Sequence, residues 1–159
     1  MRFAVLTISD RCSDGLQEDT SGPAVAALLR ERWAETEIET GLLRDDADAI
    51  AAKLEGLSDG GAALILTVGG TGLSPRDTTP EATRRVLDRE APGLAEAMRA
   101  KGAERNQYAW LSRGLAGSRG KTLIVNLPGS KRGAEESLSA ILPLLDHALD
   151  VMAGEQSHP

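Results

Sequence analysis

The chain has 159 residues, with 18 Lys plus Arg against 24 Asp plus Glu and a formal net charge of −6. That length suits one domain of ordinary size, and the acidic balance argues against a general nucleic-acid binder, which shows a basic field over one face. Aromatic residues are only 3%, so the core must be aliphatic, and the lone Cys12 excludes an internal disulfide or a zinc cluster. The longest apolar run, Ala62 to Leu66, is far below the ~20 residues of a membrane span. The start runs straight into a strand pattern without signal-peptide logic. The expectation is a cytoplasmic protein with no membrane and no nucleic-acid partner.

Arg2 to Ser9 is a β-rich run that reads as a buried strand, and Asp10 to Ser21 as a polar loop. Ser21 then caps a helix with Pro23 in its first turn and Val25, Leu28 and Leu29 at helical spacing. Glu37 to Leu43 alternates as a strand with one wet face. Asp46 to Leu57 is helical, and Gly60-Gly61 breaks it. Ala62 to Val68 is a continuous apolar strand of the kind covered on both faces in parallel sheets. After the polar loop Gly69 to Thr78, Thr79 caps and Pro80 opens a helix through Arg89; Pro92 opens another. Tyr108 to Ser112 is apolar without a clear period. Lys121 to Leu127 is a buried strand, with Arg113 to Ser118 pairing beside it as a hairpin. The last helix runs from about Ala134 to Met152 with Pro143 inside it.

Strands alternating with helices predict a three-layer αβα fold with a mostly parallel central sheet and one antiparallel edge strand. Residues 1–153 form a single domain and 154–159 a flexible tail. In such sheets ligands bind beyond the carboxyl ends of the strands. The loops there are Ser9-Asp10, Leu43 to Asp46, Thr67 to Thr79 and Asn126 to Ser130, the polar and Gly-rich parts of the chain.

The richest of these is T-V-G-G-T-G-L-S-P-R-D-T-T-P-E, Thr67 to Glu81. Its glycines after a buried strand let backbone approach a ligand closely, and turn amides form anion-binding concavities. The dinucleotide fingerprint G-x-G-x-x-G fails, because Gly70-Thr71-Gly72-Leu73-Ser74 ends at Pro75. The P-loop pattern also fails, because Gly120-Lys121-Thr122 has Leu115 where its first Gly is needed.

Asp77 in the glycine loop and Asp45-Asp46 after the second strand bring carboxylates to the same sheet end. One or two carboxylates with substrate oxygens and water are how Mg²⁺ is commonly held beside phosphates. One of Asp45 and Asp46 caps the following helix and the other is a metal ligand candidate; the pattern alone leaves the pair open. His147 and His158 lie away from these loops, so no Ser-His-Asp or Cys-His arrangement is supported and Cys12 is read as inert. A strong general base is therefore missing. A phosphate nucleophile needs none, being mostly dianionic at neutral pH, and phosphoryl or nucleotidyl transfer depends on positioning and charge neutralisation. Asn126 offers an amide to read a hydrogen-bonding ring, the alternative being a plain β-to-α turn, and Ser112-Arg113 a hydroxyl and a cation that are equally readable as structural.

With these residues laid out, the chain resembles the molybdopterin adenylyltransferase family of the Mog/MoaB type, related to the N-terminal domain of gephyrin. The matching segments are T-I-S-D-R (Thr7 to Arg11), Asp45-Asp46, Thr67 to Thr83, E-A-P-G-L (Glu90 to Leu94), L-S-R (Leu111 to Arg113) and N-L-P-G (Asn126 to Gly129). The resemblance implies transfer of AMP from Mg-ATP to the terminal phosphate of molybdopterin with release of pyrophosphate, molybdenum being inserted later by another protein. It implies that Asp45 and Asp77 are the catalytic and Mg²⁺-assisting acids. Ser9, Asp10, Asp19, Gly69, Gly70, Thr71, Gly72, Ser74, Ser112, Arg113, Asn126, Pro128 and Gly129 would line the pterin and nucleotide pocket. It also implies assembly as trimers or hexamers. Position 44 is Arg where the family often has Pro. Two other readings remain open from the sequence: a non-enzymatic molybdopterin-binding or assembly protein of the MoaB branch, and a pyrophosphatase, since competence-damage proteins carry a similar domain.

Overall fold

The computed structural model describes residues 1–155. The chain runs β1 (Arg2–Ile8), α1 (Asp10–Ser13), α2 (Ser21–Arg32), β2 (Glu37–Leu43), α3 (Ala47–Asp59), β3 (Leu64–Val68), α4 (Thr79–Val86), β4 (Arg89–Glu90), α5 (Pro92–Ala103), a 3-10 turn (Gln107–Leu111), β5 (Ala116–Arg119), β6 (Thr122–Leu127) and α6 (Lys131–Ala153). The expected tail falls partly on residues 156–159, outside the described residues. Before them Gly154, at φ +93°, closes α6 in the left-handed conformation that glycine adopts without strain.

The strands form one six-stranded sheet in the order β2-β1-β3-β6-β5-β4. β2, β1, β3 and β6 are parallel, and β5 runs antiparallel to both β6 and β4. The antiparallel edge expected from the sequence is thus a ribbon, β5 flanked by the two-residue β4. That short strand lies where the α4 helix was expected to continue to Arg89; the helix ends at Val86.

Alternation along the strands fills both sides of the sheet. On one face Phe3, Val5, Leu64, Leu66 and Val125 pack with Leu29 of α2, Met98 of α5 and Leu138, Ile141 and Leu145 of α6. On the other Ala4, Leu6, Ile65 and Ile124 pack with Ile50 and Leu54 of α3 and Ala82 and Val86 of α4. Buried on both sides, β3 and β6 are apolar almost throughout, as parallel strands under two helix layers must be.

α2 and α3 lie on opposite faces, so the chain leaves β1 to one side and returns for β3 on the other. The crevice such a reversal opens lies beyond the carboxyl ends of β1 and β3. The register brings those ends level: Thr7 aligns with Leu42 and Val68, and Val68 with Leu127.

Several local expectations are corrected. Asp10 to Ser13 is a short helix instead of loop, because the Ser9 hydroxyl accepts from the Cys12 amide at 3.1 Å. Ser21 is not the cap of α2. Its hydroxyl donates to the Gly129 carbonyl at 2.8 Å, and the Asp19 carboxylate takes the Gly22 amide at 3.0 Å. α6 begins at Lys131, earlier than expected, capped by Ser130 on the Gly133 amide at 3.1 Å.

Phe3 is fully buried and meets Trp33 edge to face, ring centroids 5.3 Å apart. Phe3→Ala is expected to destabilise the fold by about 3–5 kcal/mol through lost burial and a residual cavity, read by denaturant unfolding, with a shift in tryptophan emission. A loss below about 1 kcal/mol would contradict this packing.

Candidate functional site

The site is built where β1 and β3 end side by side. Gly69 and Gly70 have φ of +111° and +68°, a region that favours glycine. Space forbids a side chain as well: a Cβ on Gly69 would collide with the Ile8 carbonyl, and one on Gly70 with the Thr79 hydroxyl while lying 3.0 Å from Asp45 Oδ1. Thr79 is not the cap of α4. Fully buried, it donates its hydroxyl to the Gly69 carbonyl at 2.9 Å and tethers the far end of the loop to its beginning.

Asp46 is the member of the acidic pair that caps. Its carboxylate accepts from the Ala49 amide at 3.0 Å. Asp45 is left to face the crevice. Its Oδ2 accepts from the Asp10 amide at 3.1 Å, while its own amide donates to Asp10 Oδ1 at 3.1 Å. Asp45 Oδ1 is buried with no hydrogen-bond partner. Burial raises the Asp45 pKa above its ordinary value, and the neighbouring charges of Asp10 and Asp77 push the same way. Asp10 is the opposite case: Arg76 donates to it and holds its carboxyl below the ordinary value. Asp77 Oδ2 accepts from the Ser74 amide at 3.1 Å, and a Cβ on Gly72 would approach it to 2.8 Å.

Arg113 is a staple for this loop. Its Nε donates to the Gly72 carbonyl at 2.7 Å and Nη2 to the Asp77 carbonyl at 2.9 Å, while Nη1 pairs with Glu81. Its amide donates to the Thr71 carbonyl at 2.8 Å. Asn126 stands at the base of the larger cavity described below, and its amide is engaged with protein. At 1% exposure it donates to the Thr67 and Thr83 hydroxyls, both at 2.9 Å, and accepts from the Leu115 amide at 3.1 Å. Asp19 accepts from the Thr7 hydroxyl at 2.7 Å. Ser74 is exposed on the outer turn of the loop, away from the cavity walls. Arg44 extends to Asp14 and lies 3.6 Å from Asp10.

Two cavities open on this floor. The larger, about 760 Å³, runs past Gly70, Thr71, Gly72 and Ser112 toward α5 and the start of α6. The smaller, about 370 Å³, is bounded by Ser9, Asp10, Asp19 and Asp45. Gly70, Asp77 and Gly129 line both, so the two are lobes of one cleft joined at Asp77. Pro128 lies on the wall of the larger lobe and Gly69 on that of the smaller. Sequence reading missed the cations of the larger lobe, Arg99, Arg105 and Arg132, and the exposed ring of Tyr108.

Among the described residues, no group of three or more His, Cys, Asp or Glu is arranged to hold a metal ion. Mg²⁺ bound through one or two carboxylates, substrate oxygens and water does not need one. The unpartnered Asp45 Oδ1, crowded by two further carboxylates, is an anionic oxygen that lacks a cation. The residues present therefore fit that ion.

Residues 4–147 match the family model described as "Probable molybdopterin binding domain". The chain is 38% identical over 156 residues to the molybdopterin adenylyltransferase of Helicobacter pylori strain J99, covering 97% of this chain and 89% of that protein. It is 43% identical to the molybdenum cofactor synthesis protein cinnamon of Drosophila melanogaster, covering 98% of this chain but spanning only 26% of that protein. The crystal structure of the molybdopterin biosynthesis enzyme MoaB from Thermus thermophilus superposes with a TM-score of 0.87 at 50% identity, covering 96% of each chain.

Asp45→Asn is expected to raise the thermal unfolding midpoint at neutral pH, since it removes a partly buried charge whose desolvation outweighs its favourable contacts and which Asp10 and Asp77 repel. The sign follows from linkage. A carboxyl whose folded pKa is raised destabilises the fold above that pKa, and the penalty fades as pH falls through it toward 3.8. The gain over the parent protein therefore shrinks in acid; a variant that melts lower at neutral pH contradicts the electrostatic account. Asn126→Ala leaves the Leu115 amide and two threonine hydroxyls without their partner, and is expected to cost about 1–3 kcal/mol by denaturant unfolding.

Proposed function

The chain belongs to the molybdopterin-binding domain family, and on that premise we propose that it is a molybdopterin adenylyltransferase acting in molybdenum cofactor synthesis. The observation that carries this reading is the two-lobed cleft whose lobes share Gly70, Asp77 and Gly129. A transfer between two phosphate-bearing substrates needs two adjoining sites with the reacting groups at the junction, and positioning of that kind supplies much of the rate.

In this reading an oxygen of the terminal phosphate of molybdopterin attacks the α-phosphorus of ATP. The bond to the β-phosphate oxygen breaks, pyrophosphate leaves, and adenylylated molybdopterin remains. The attacking phosphate is already ionised at neutral pH, which agrees with a cleft whose walls carry carboxylates and arginines but no histidine. The glycine loop presents bare backbone to the phosphates, with Thr79, Arg113 and Asn126 holding its shape from behind.

Asp45 and Asp77 would hold Mg²⁺. That ion, when bound, supplies neutralisation of charge on the nucleotide phosphates. Ser9, Asp19, Thr71, Gly72 and Ser112 stand on the walls against which the substrates are oriented. Assembly into trimers or hexamers, a cytoplasmic location and a separate molybdenum-insertion protein downstream belong to the same reading. Among the described residues no helix is long and apolar enough to cross a membrane.

Incubation of the protein with molybdopterin and Mg-ATP is expected to yield adenylylated molybdopterin and pyrophosphate in equal amounts. Asp77→Asn is expected to lower kcat by about 10²–10³-fold, the scale of removing one electrostatic group from a reaction centre, with the circular dichroism of the folded protein retained. Pterin binding without ATP consumption would replace the transferase with a carrier.

A further inference from the structure

Asp10 stands on the wall of the smaller lobe, yet its polar atoms are engaged with protein. Its Oδ1 accepts from the Asp45 amide at 3.1 Å. Its Oδ2 accepts from Arg76 Nε at 3.0 Å and Nη2 at 2.6 Å. Its own amide donates to Asp45 Oδ2 at 3.1 Å. Asp10, two residues beyond β1, is thus bonded both to the acid that follows β2 and to the arginine that immediately precedes the second acid, Asp77.

The two-way exchange with Asp45 settles which of that residue's oxygens is spent. Oδ2 is occupied by the Asp10 amide, so Oδ1 is the one left without a partner beside Gly70. The Arg76 tie fastens the exposed turn of the glycine loop to the segment after β1. The Asp10–Arg76 pair is largely solvated on the arginine side, with 64% of that side chain exposed, so its worth to stability is small. Its consequence is geometric: a displacement of about 1 Å at a reacting centre costs on the order of 10²-fold in rate.

We propose that Asp10 is a positioning residue for the transfer, fixing Asp45 and Asp77 relative to each other through hydrogen bonds to the Asp45 backbone and the Arg76 guanidinium, without itself contacting the reacting phosphates. The inference rests on the transferase reading and assigns to Asp10 a role in that same site. Arg76 is its partner in the clamp, not a ligand for substrate.

The test combines steady-state kinetics with amide hydrogen exchange of the ligand-free protein, using Asp10→Asn, Asp10→Ala, Arg76→Gln and the Asp10→Asn/Arg76→Gln double variant. Asp10→Ala is expected to lower kcat about 100-fold while KM for molybdopterin and for ATP stays near the parent values. It also exposes the Asp45 amide, whose exchange accelerates about tenfold or more. Asp10→Asn keeps an acceptor for that amide and so keeps its slow exchange, but loses the charged tie to Arg76 and shows an intermediate kcat. The double variant is expected to be no slower than the worse single one, because both changes break one link. A raised KM at unchanged kcat in Asp10→Ala makes Asp10 a substrate contact and overturns the proposal, as do unchanged kcat and exchange or fully multiplicative losses in the double variant. If the parent protein transfers no AMP, the transferase reading fails by itself, and the exchange pattern still decides whether Asp10 clamps Asp45.

Discussion

The site depends on one steric constraint, the contact between the backbone after β3 and the carboxyl end of β1. Gly69 sits so close to the Ile8 carbonyl that a methyl group there would collide with it. Gly70 passes between the Thr79 hydroxyl and Asp45 with similar lack of room. Because the chain turns there without side chains, the loops after β1, β2 and β3 close on a shared floor. Asp45 is then brought near enough to Asp10 and Asp77 for their charges to act on it. A bulkier turn would part those loops, and with them the acids.

Electrostatics makes that floor unfavourable for the ligand-free protein. Asp45 is partly buried, one of its oxygens has no partner, and its neighbours repel it. Such an arrangement persists only where the surrounding structure holds it, and here the Asp10 exchange, the Arg76 and Arg113 contacts and the buried Asn126 bonds do so. It also explains how a chain of net charge −6 can handle phosphates. In the transferase reading the surplus acids at the floor would take a cation, while Arg99, Arg105 and Arg132 line the larger lobe, the last two paired there with Glu136.

Much of this is legible in the sequence. Apolar runs marked β1, β3 and β6 because strands buried on both faces have no polar side to alternate with. The polar, Gly-rich character of the loops marked one end of the sheet. Asp45 and Asp46 could not be separated by pattern, since either residue type and position suits a cap; only the Ala49 amide contact assigns the role to Asp46. Arg113 and Asn126 were open between ligand and scaffold because their partners, Gly72, Asp77, Thr67 and Thr83, are distant in sequence. The short helix after β1 and the two-residue β4 carry too few residues to show a period, and the arginines of the larger lobe come from two stretches far apart in sequence, residues 99–105 and the start of α6.

The central claim is that Asp45 and Asp77 together receive a divalent cation where the two lobes meet. It is tested most directly by anomalous diffraction from crystals of this protein grown with Mn²⁺ and a non-hydrolysable ATP analogue. A manganese peak is expected within coordination distance of Asp45 Oδ1 and of a carboxylate oxygen of Asp77. A manganese ion bound to the nucleotide but touching neither aspartate would contradict the claim.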